Sequence, residues 1–444
     1  MRSAIKIRLV VDPLSAAVLD GQSRLLNWLY NLLVDMADDL RHGYIANPND
    51  TTGHNLYTKR GFRNMLPALK AQFPFLRTVH SSPVKNAALR LAKAIGDHQD
   101  CAHGRRKGKP VSWPHFRSWK RKWFSLLYDE PGKGFSLVGD LLTVTLGVDA
   151  QGKRLSVQAR LAEPLPRRYT SEDIRNLRIV RDGTDFHAVF AVERGLPEGK
   201  PIFRAIALDP NHKNLAYGVD TEGTATQIAN PWFAKLWQRR TCDLKSRRDS
   251  CKKQSVRVIR PDGSWYWRPS RRWLRFDRAL AEVHRLRREQ TKAYLFTMAN
   301  RLFRKYDLVA VGDYTPHGGG ITPGMRRAMN NESLIGRFKE VLSWVAMKSG
   351  KRYDEWREAG STRTCCECGQ VVEGGISPDI REWDCPRCNA HHIRDENAAR
   401  NGLMRVLIKN PLPCSGRLGG QPVAVLTRRT WRFSGLGVVE TPGV

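Results

Sequence analysis

The sequence predicts an α/β protein in two parts. An N-terminal β-barrel carries an inserted helical lobe, and an α/β domain follows, interrupted by a small metal-stapled ribbon. Three observations predict this. Residues 4–11 alternate like a strand, long helical periodicity follows, and short alternating segments then recur between 135 and 192. From residue 202, continuous apolar runs alternate with long amphipathic helices, as in a sheet buried on both faces. Two CxxC pairs, Cys365/Cys368 and Cys385/Cys388, stand sixteen residues apart, a spacing that lets two knuckles close on one tetrahedral ion.

With 444 residues the chain is long enough for two or three domains, and its 41% hydrophobic content is that of a globular protein. There is no run of 18 apolar residues, and residues 1–11 lack a long apolar signal region. A reducing cytoplasm is the expected location, at the nucleoid when DNA is bound, and nine cysteines there read as metal ligands and free thiols. Lys and Arg outnumber Asp and Glu by 75 to 43, a formal charge of +32. Such a chain repels itself, and a polyanion relieves the repulsion while releasing counterions. Thirteen Trp interleaved with the cations add stacking platforms. The expected partner is nucleic acid and not a membrane, because the charge is spread through the whole chain.

In order, the strand at 4–11 ends at Asp12-Pro13, and residues 15–40 read as a helix with Leu19, Leu25, Leu26, Trp28, Leu29 and Leu32 near helical spacing. Further helices at 59–72 and 82–100 complete a lobe over 14–104. Residues 105–128 are the densest basic–aromatic stretch. Arg105, Arg106, Lys107, Trp113, Phe116, Arg117, Trp119, Lys120, Arg121 and Lys122 are its candidate nucleic-acid contacts, with rings for bases and cations for phosphates. Strands at 135–138, 141–146, 155–159, 174–181 and 186–192 complete the barrel, assigned to 1–13 and 105–200.

The buried strand at 202–208 ends in Asp209 and leads through P-N-H-K-N into two hairpin strands. A carboxylate at the C-terminal end of such a strand sits where α/β sheets gather ligands. Cationic helices fill 231–305, with a loop expected at 256–269. A second buried strand, 306–311, ends in Gly312-Asp313 and precedes a Gly-rich loop at 315–324, a candidate lid. A helix at 331–349 and a charged strand at 351–358 lead to the ribbon, 362–388. Four thiolates there suit structural Zn²⁺, which folds a segment too polar to build its own core. Asp395 then opens a helix, and the Gly- and Pro-rich tail, 411–444, is expected to be flexible.

The segments I-A-L-D-P-N-H-K-N-L-A from Ile206, L-V-A-V-G-D-Y from Leu308 and C-x2-C…C-x2-C…R-D-E-N-A-A resemble the transposon-encoded TnpB proteins and the compact type V CRISPR effectors. The resemblance implies a RuvC-like, RNase H-like nuclease domain over 201–361 and 389–410 with the zinc ribbon inserted, and a wedge barrel bearing a recognition lobe. It also implies an RNA-guided DNA endonuclease that takes a guide RNA and double-stranded target DNA, as a monomer or a homodimer on the RNA. Two Mg²⁺ or Mn²⁺ ions would serve the acid cluster, with Asp209 bridging them and Asp395 supplying the acid of the last helix. Most relatives carry a Glu where this chain has Gly312. Glu358 at the end of the neighbouring strand is the favoured replacement over Asp313, whose side chain points to the opposite face of a regular strand. The alternative is an RNA-guided DNA-binding repressor without nuclease activity.

Overall fold

The computed structural model describes residues 2–49, 53–106, 109–117, 124–183, 185–193, 195–261, 263, 265–313, 333–377, 380–412, 423–434 and 437–443. The loop at 315–324 and residues Lys107, Trp119, Lys120, Arg121 and Lys122 lie outside them. The chain divides into two units, Met1–Gly195 and Leu196–Val444. Among the described residues, no helix is long and apolar enough to cross a membrane.

In the first unit, β1 (Arg2–Val10) leads to three helices, α1 (Pro13–Ala46), α2 (Lys59–Gln72) and α3 (Ser81–Ala102). Helix α1 begins where Asp12 accepts bonds from the N–H groups of Leu14 and Ser15, with Pro13 at the first turn. Strands β2 (Ser125–Tyr128), β3 (Phe135–Val138), β4 (Leu141–Val148), β5 (Arg154–Leu161), β6 (Ile174–Asp182) and β7 (Asp185–Glu193) follow. They pair antiparallel in the order β2-β6-β7-β1-β5-β4-β3. The sheet is therefore open, not the expected closed barrel: β2 and β3 are its ends and do not pair among the described residues. The physical reason is the helical layer. Leu29 and Leu33 of α1 and Leu91 and Ile95 of α3 share one core with Leu126, Leu142 and Phe190, covering the apolar face that a barrel would have to fill by itself.

The second unit is a mixed α/β layer structure. Strands β8 (Ala205–Pro210), β9 (Ala216–Asp220) and β10 (Thr224–Ile228) form an antiparallel meander. Helices α4 (Phe233–Ser250) and α5 (Arg271–Lys305) flank strands β11 (Val256–Ile259) and β12 (Trp265–Arg268). Those two strands pair as a hairpin, correcting the loop expected there. Strand β13 (Leu308–Gly312) pairs parallel with β8, and β14 (Arg352–Trp356) pairs parallel with β13 after the crossover helix α6 (Ile335–Ser349). The ribbon hairpin, β15 (Glu382–Asp384) with β16 (His391–Ile393), leads into α7 (Arg394–Lys409).

The tail is corrected too. Strands β17 (Thr427–Phe433) and β18 (Val438–Pro442) extend the main sheet, β17 running parallel to β10, so the order is β14-β13-β8-β9-β10-β17-β18. The tail's alternation was masked by exposed Arg and Thr; Trp431, 3% exposed, anchors it in the core.

The two faces of this sheet carry different partners. Ile206, Leu208, Val309 and Val311 pack with Met298 and Leu302 of α5 and with Phe338 and Leu342 of α6. Ala205, Ala207, Leu308, Ala310 and Trp356 pack with Ala399, Leu403 and Val406 of α7. Strand alternation puts Asp209 and Gly312 on the α7 side, and Glu358, two residues past the end of β14, lies against Gly312. The α7 side is lined by small residues so that the helix approaches closely: a Cβ on Gly402 would lie 2.5 Å from the Trp356 ring.

Candidate active site and metal centre

The ribbon repeats one turn twice. At the first knuckle Cys365 N–H donates to Gln370 O and Gly369 N–H to Cys365 O; at the second, Cys385 N–H donates to Ala390 O and Asn389 N–H to Cys385 O. Both turns need a left-handed residue. Gly369 takes φ +74° without cost and Asn389, a tolerant side chain, takes φ +57°. The four thiols Cys365, Cys368, Cys385 and Cys388 place their Sγ atoms within 4.8 Å of one another. Cys365–Cys388 and Cys368–Cys385 are separated by 3.7 and 3.6 Å. A tetrahedron of Zn–S bonds of about 2.3 Å has edges of about 3.8 Å, so the donor set fits zinc. His392, 3% exposed, places Nε2 at 3.1 Å from Cys365 Sγ and stacks on Trp383 at 4.7 Å. It supports the cluster from behind.

The ribbon is bolted to α7 by buried amides. Asn397 donates to Ser361 O and Thr364 O and accepts from Cys366 N–H, and Asn401 donates to the same two carbonyls. Arg400 donates to Val423 O and to Glu367. These residues sit within two turns of Asp395, so closing the thiol cluster fixes the helix that presents that acid.

Asp395 is not a helix cap; the N-cap position is Ile393, which makes no side-chain bond. Its carboxylate accepts from Asn211 Nδ2 at 3.1 Å and Arg381 at 3.4 Å. Asp209, 7% exposed, ends β8. Burial holds its carboxyl well above the ordinary value, and the charges of Glu358 and Asp395 push it the same way, with Arg394 opposing. The three acids thus act on one another electrostatically although they come from a strand end, a post-strand turn and a helix start.

Glu358 occupies the space over Gly312. A Cβ built on Gly312 would stand 2.0 Å from Glu358 Oε1, so no side chain fits at 312 while Glu358 holds this position. Asp313 is exposed and accepts a bond from Glu358 N–H at 3.0 Å. It fastens the turn that carries Glu358.

The basic–aromatic stretch is placed differently from its expectation. Trp113 is half-buried, donates through Nε1 to Asp38, lies under the Arg41 guanidinium at 4.6 Å and meets Tyr57 and His98 edge-on. Arg117 stacks over Tyr30 at 3.4 Å. Both take part in the first unit's own packing. Phe116 is 57% exposed, while Arg105 and Arg106 stand at the surface near Asp100 and Asp97. Sequence reasoning missed Asn211, Asn397 and Asn401; the D-P-N-H and D-E-N-A-A-R-N runs were the available signals.

A family model described as the Cas12f1-like TNB domain matches residues 336–402. The chain is 29% identical over 149 residues to the CRISPR-associated DNA-binding protein Cas12m of Allomeiothermus silvanus, covering 32% of this chain and 27% of that protein. It is 25% identical over 146 residues to the TnpB-like protein L79 of Acanthamoeba polyphaga mimivirus, with the same coverage. A Mycobacterium tuberculosis protein provisionally named RNA-guided DNA endonuclease Rv2885c is 23% identical over 69% of this chain and 64% of its own. The chain therefore spans about a quarter of the length of the first two relatives. Among solved structures, a Cas12f1–sgRNA–target DNA complex aligns with TM-score 0.48 and 11% identity over 93% of this chain and 99% of that chain. The likeness is to TnpB-like proteins and compact type V effectors.

Proposed function

We propose that the chain is an RNA-guided DNA endonuclease with a RuvC-like acid site made of Asp209, Glu358 and Asp395. The single observation that carries this reading is the exchange at the strand end: where relatives resembled by the sequence carry a Glu, this chain has Gly312, and the Glu358 carboxylate fills the vacated space. A decayed site would have no reason to keep an acid there. The donor set fits two divalent ions, because three hard carboxylates that repel one another gain from cations between them. Asp209, Glu358 and Asp395 would be the residues that hold them. When bound, such ions activate a water and stabilise the leaving oxygen of a phosphodiester. The chain's own residues do the positioning. Asn211 and Arg381 orient Asp395, Asp313 holds the Glu358 backbone, and the zinc ribbon locks α7 through Asn397 and Asn401. Guide RNA would supply sequence specificity by pairing, leaving a short flanking motif for the protein to read.

A second reading, an RNA-guided DNA binder without cleavage, is favoured by the loss of the acid at Gly312 and by the DNA-binding name of the Cas12m relative. One experiment separates them: Mg²⁺-dependent plasmid cleavage by the protein copurified with its RNA, beside Glu358→Ala and Asp313→Ala. Cleavage abolished in Glu358→Ala and only weakened in Asp313→Ala supports the relocated acid. A parent protein that binds guide-matched DNA without cutting it establishes the binder.

A further inference from the structure

The hairpin β11–β12 stands between two cationic helices. Register pairs Arg257 with Trp267 and Ile259 with Trp265, so these four side chains share one face of the ribbon. All four are exposed, Ile259 at 67%, Trp265 at 50% and Trp267 at 46%. The Arg257 guanidinium lies 4.6 Å from the Trp265 ring centre, and the two indoles meet edge-to-face at 5.9 Å. Leaving two indoles and an isoleucine in water on one small face is costly unless something covers them.

The hairpin's place in the fold says what suits it. Residues of α5 join the sheet core from Tyr294 onward, whereas the hairpin adjoins its start at Arg271. At 1.5 Å per residue the base of the hairpin therefore stands about 35 Å along the helix from the sheet, about one turn of B-DNA. Helix α4 carries six Lys and Arg against two Asp, and none of its residues is buried. An aromatic tip on a cationic arm combines base stacking with phosphate attraction, the two terms of single-strand binding.

We propose that the Trp265–Trp267 face is a stacking platform for unpaired bases of single-stranded DNA. Stacking accepts every base, which suits a strand whose sequence changes from target to target. The choice of DNA rests on the nuclease reading, since the arm belongs to the unit that carries the acid site. The charge around the face matches a polyanion.

The test uses the full chain with its copurified RNA and a fluorescein-labelled 20-nucleotide oligo(dT), read by anisotropy. Trp265→Ala/Trp267→Ala should weaken binding at least about ten-fold, the scale of one lost stacked base, and Trp265→Phe/Trp267→Phe should recover most of it. Unchanged thermal melting is expected, because both rings are exposed and lie outside the cores. A parent that binds oligo(dT) through this face yet never cuts DNA refutes the nuclease reading and leaves the platform standing. The platform is overturned if the double Ala variant binds oligo(dT) like the parent. It is also overturned if that variant instead loses copurified RNA, which assigns the face to RNA, or changes oligomeric state, which makes it a contact between copies.

Discussion

The thiol cluster and the acid site both gather metal-seeking side chains, and they are built in opposite ways. All four cysteines lie within 24 consecutive residues, on two copies of one local turn. The acids come from positions 209, 358 and 395, in β8, after β14 and at the start of α7, elements that pack on one sheet face. The first centre is local chemistry that organises a segment. The second is the product of a finished fold, and it uses the first, since α7 is fastened to the ribbon by Asn397 and Asn401. The comparison teaches that a metal centre written contiguously can serve as scaffold for one that is not.

Breaking the local centre should have the largest effect. Cys385→Ser should abolish stoichiometric zinc on metal analysis and sharply lower soluble yield, because structural zinc sites supply about 10 kcal/mol or more of folding free energy in small domains. Cleavage should fall with it, through the loss of α7 as a platform for Asp395. At the acid site, Glu358→Ala should lower cleavage by more than about a hundred-fold while zinc content and RNA copurification are retained, since losing a ligand exceeds the 10–100-fold cost of losing its outer support.

Gly312→Ala probes the same contact from the other side. Its methyl must displace the Glu358 carboxylate, and displacements of about 1 Å cost on the order of a hundred-fold in rate. If the two positions share one role, Gly312→Glu/Glu358→Ala should recover part of the activity lost in Glu358→Ala. No recovery alongside normal folding would separate them.

Uncoupling the two centres should give a smaller loss. Asn397→Ala leaves the Cys366 N–H and the Ser361 and Thr364 carbonyls short of a partner in a buried site, at a cost of about 1–3 kcal/mol on denaturant unfolding. Zinc should remain bound while cleavage drops.

The smallest effect is a pH signature. The folded-state pKa of Asp209 lies above its ordinary value of 3.8, so the folded protein holds that proton more tightly than the unfolded chain. Its stabilising contribution is present below the unfolded value and is lost as pH rises through the folded one. In EDTA, Asp209→Asn should therefore melt higher than the parent at pH 8, with the gap closing towards pH 4. Mg²⁺ should narrow the gap at pH 8 by compensating the charge on the parent's carboxylates. Identical melting of the two proteins at both pH values would contradict the buried, repelled state of this acid.

Much of the second unit was legible because buried strands announce themselves. The runs A-I-A-L, before Asp209, and L-V-A-V are apolar at every position, which a strand covered on both faces requires. The tail strands were not legible, because β17 carries Arg428, Arg429 and Arg432 and joins the sheet through β10, about two hundred residues earlier in the chain. The barrel expectation failed for a related reason: local alternation reveals a half-buried strand but not whether a helix or another strand covers it. Trp113 is half-buried with its Nε1 bonded to Asp38, while Trp265 and Trp267, expected in a loop, stand exposed on a hairpin.

The sequence by itself determined what short-range geometry dictates. This covers the two knuckles with their left-handed residues, the strand-ending Asp209, the helix that starts beside Asp395, and the surplus of positive charge. Only the tertiary structure decided that Glu358 stands over Gly312, that Asp313 accepts from the Glu358 N–H, and that the tail extends the sheet. Those outcomes depend on the register between strands, which is set by side-chain packing across the whole sheet and on both of its faces.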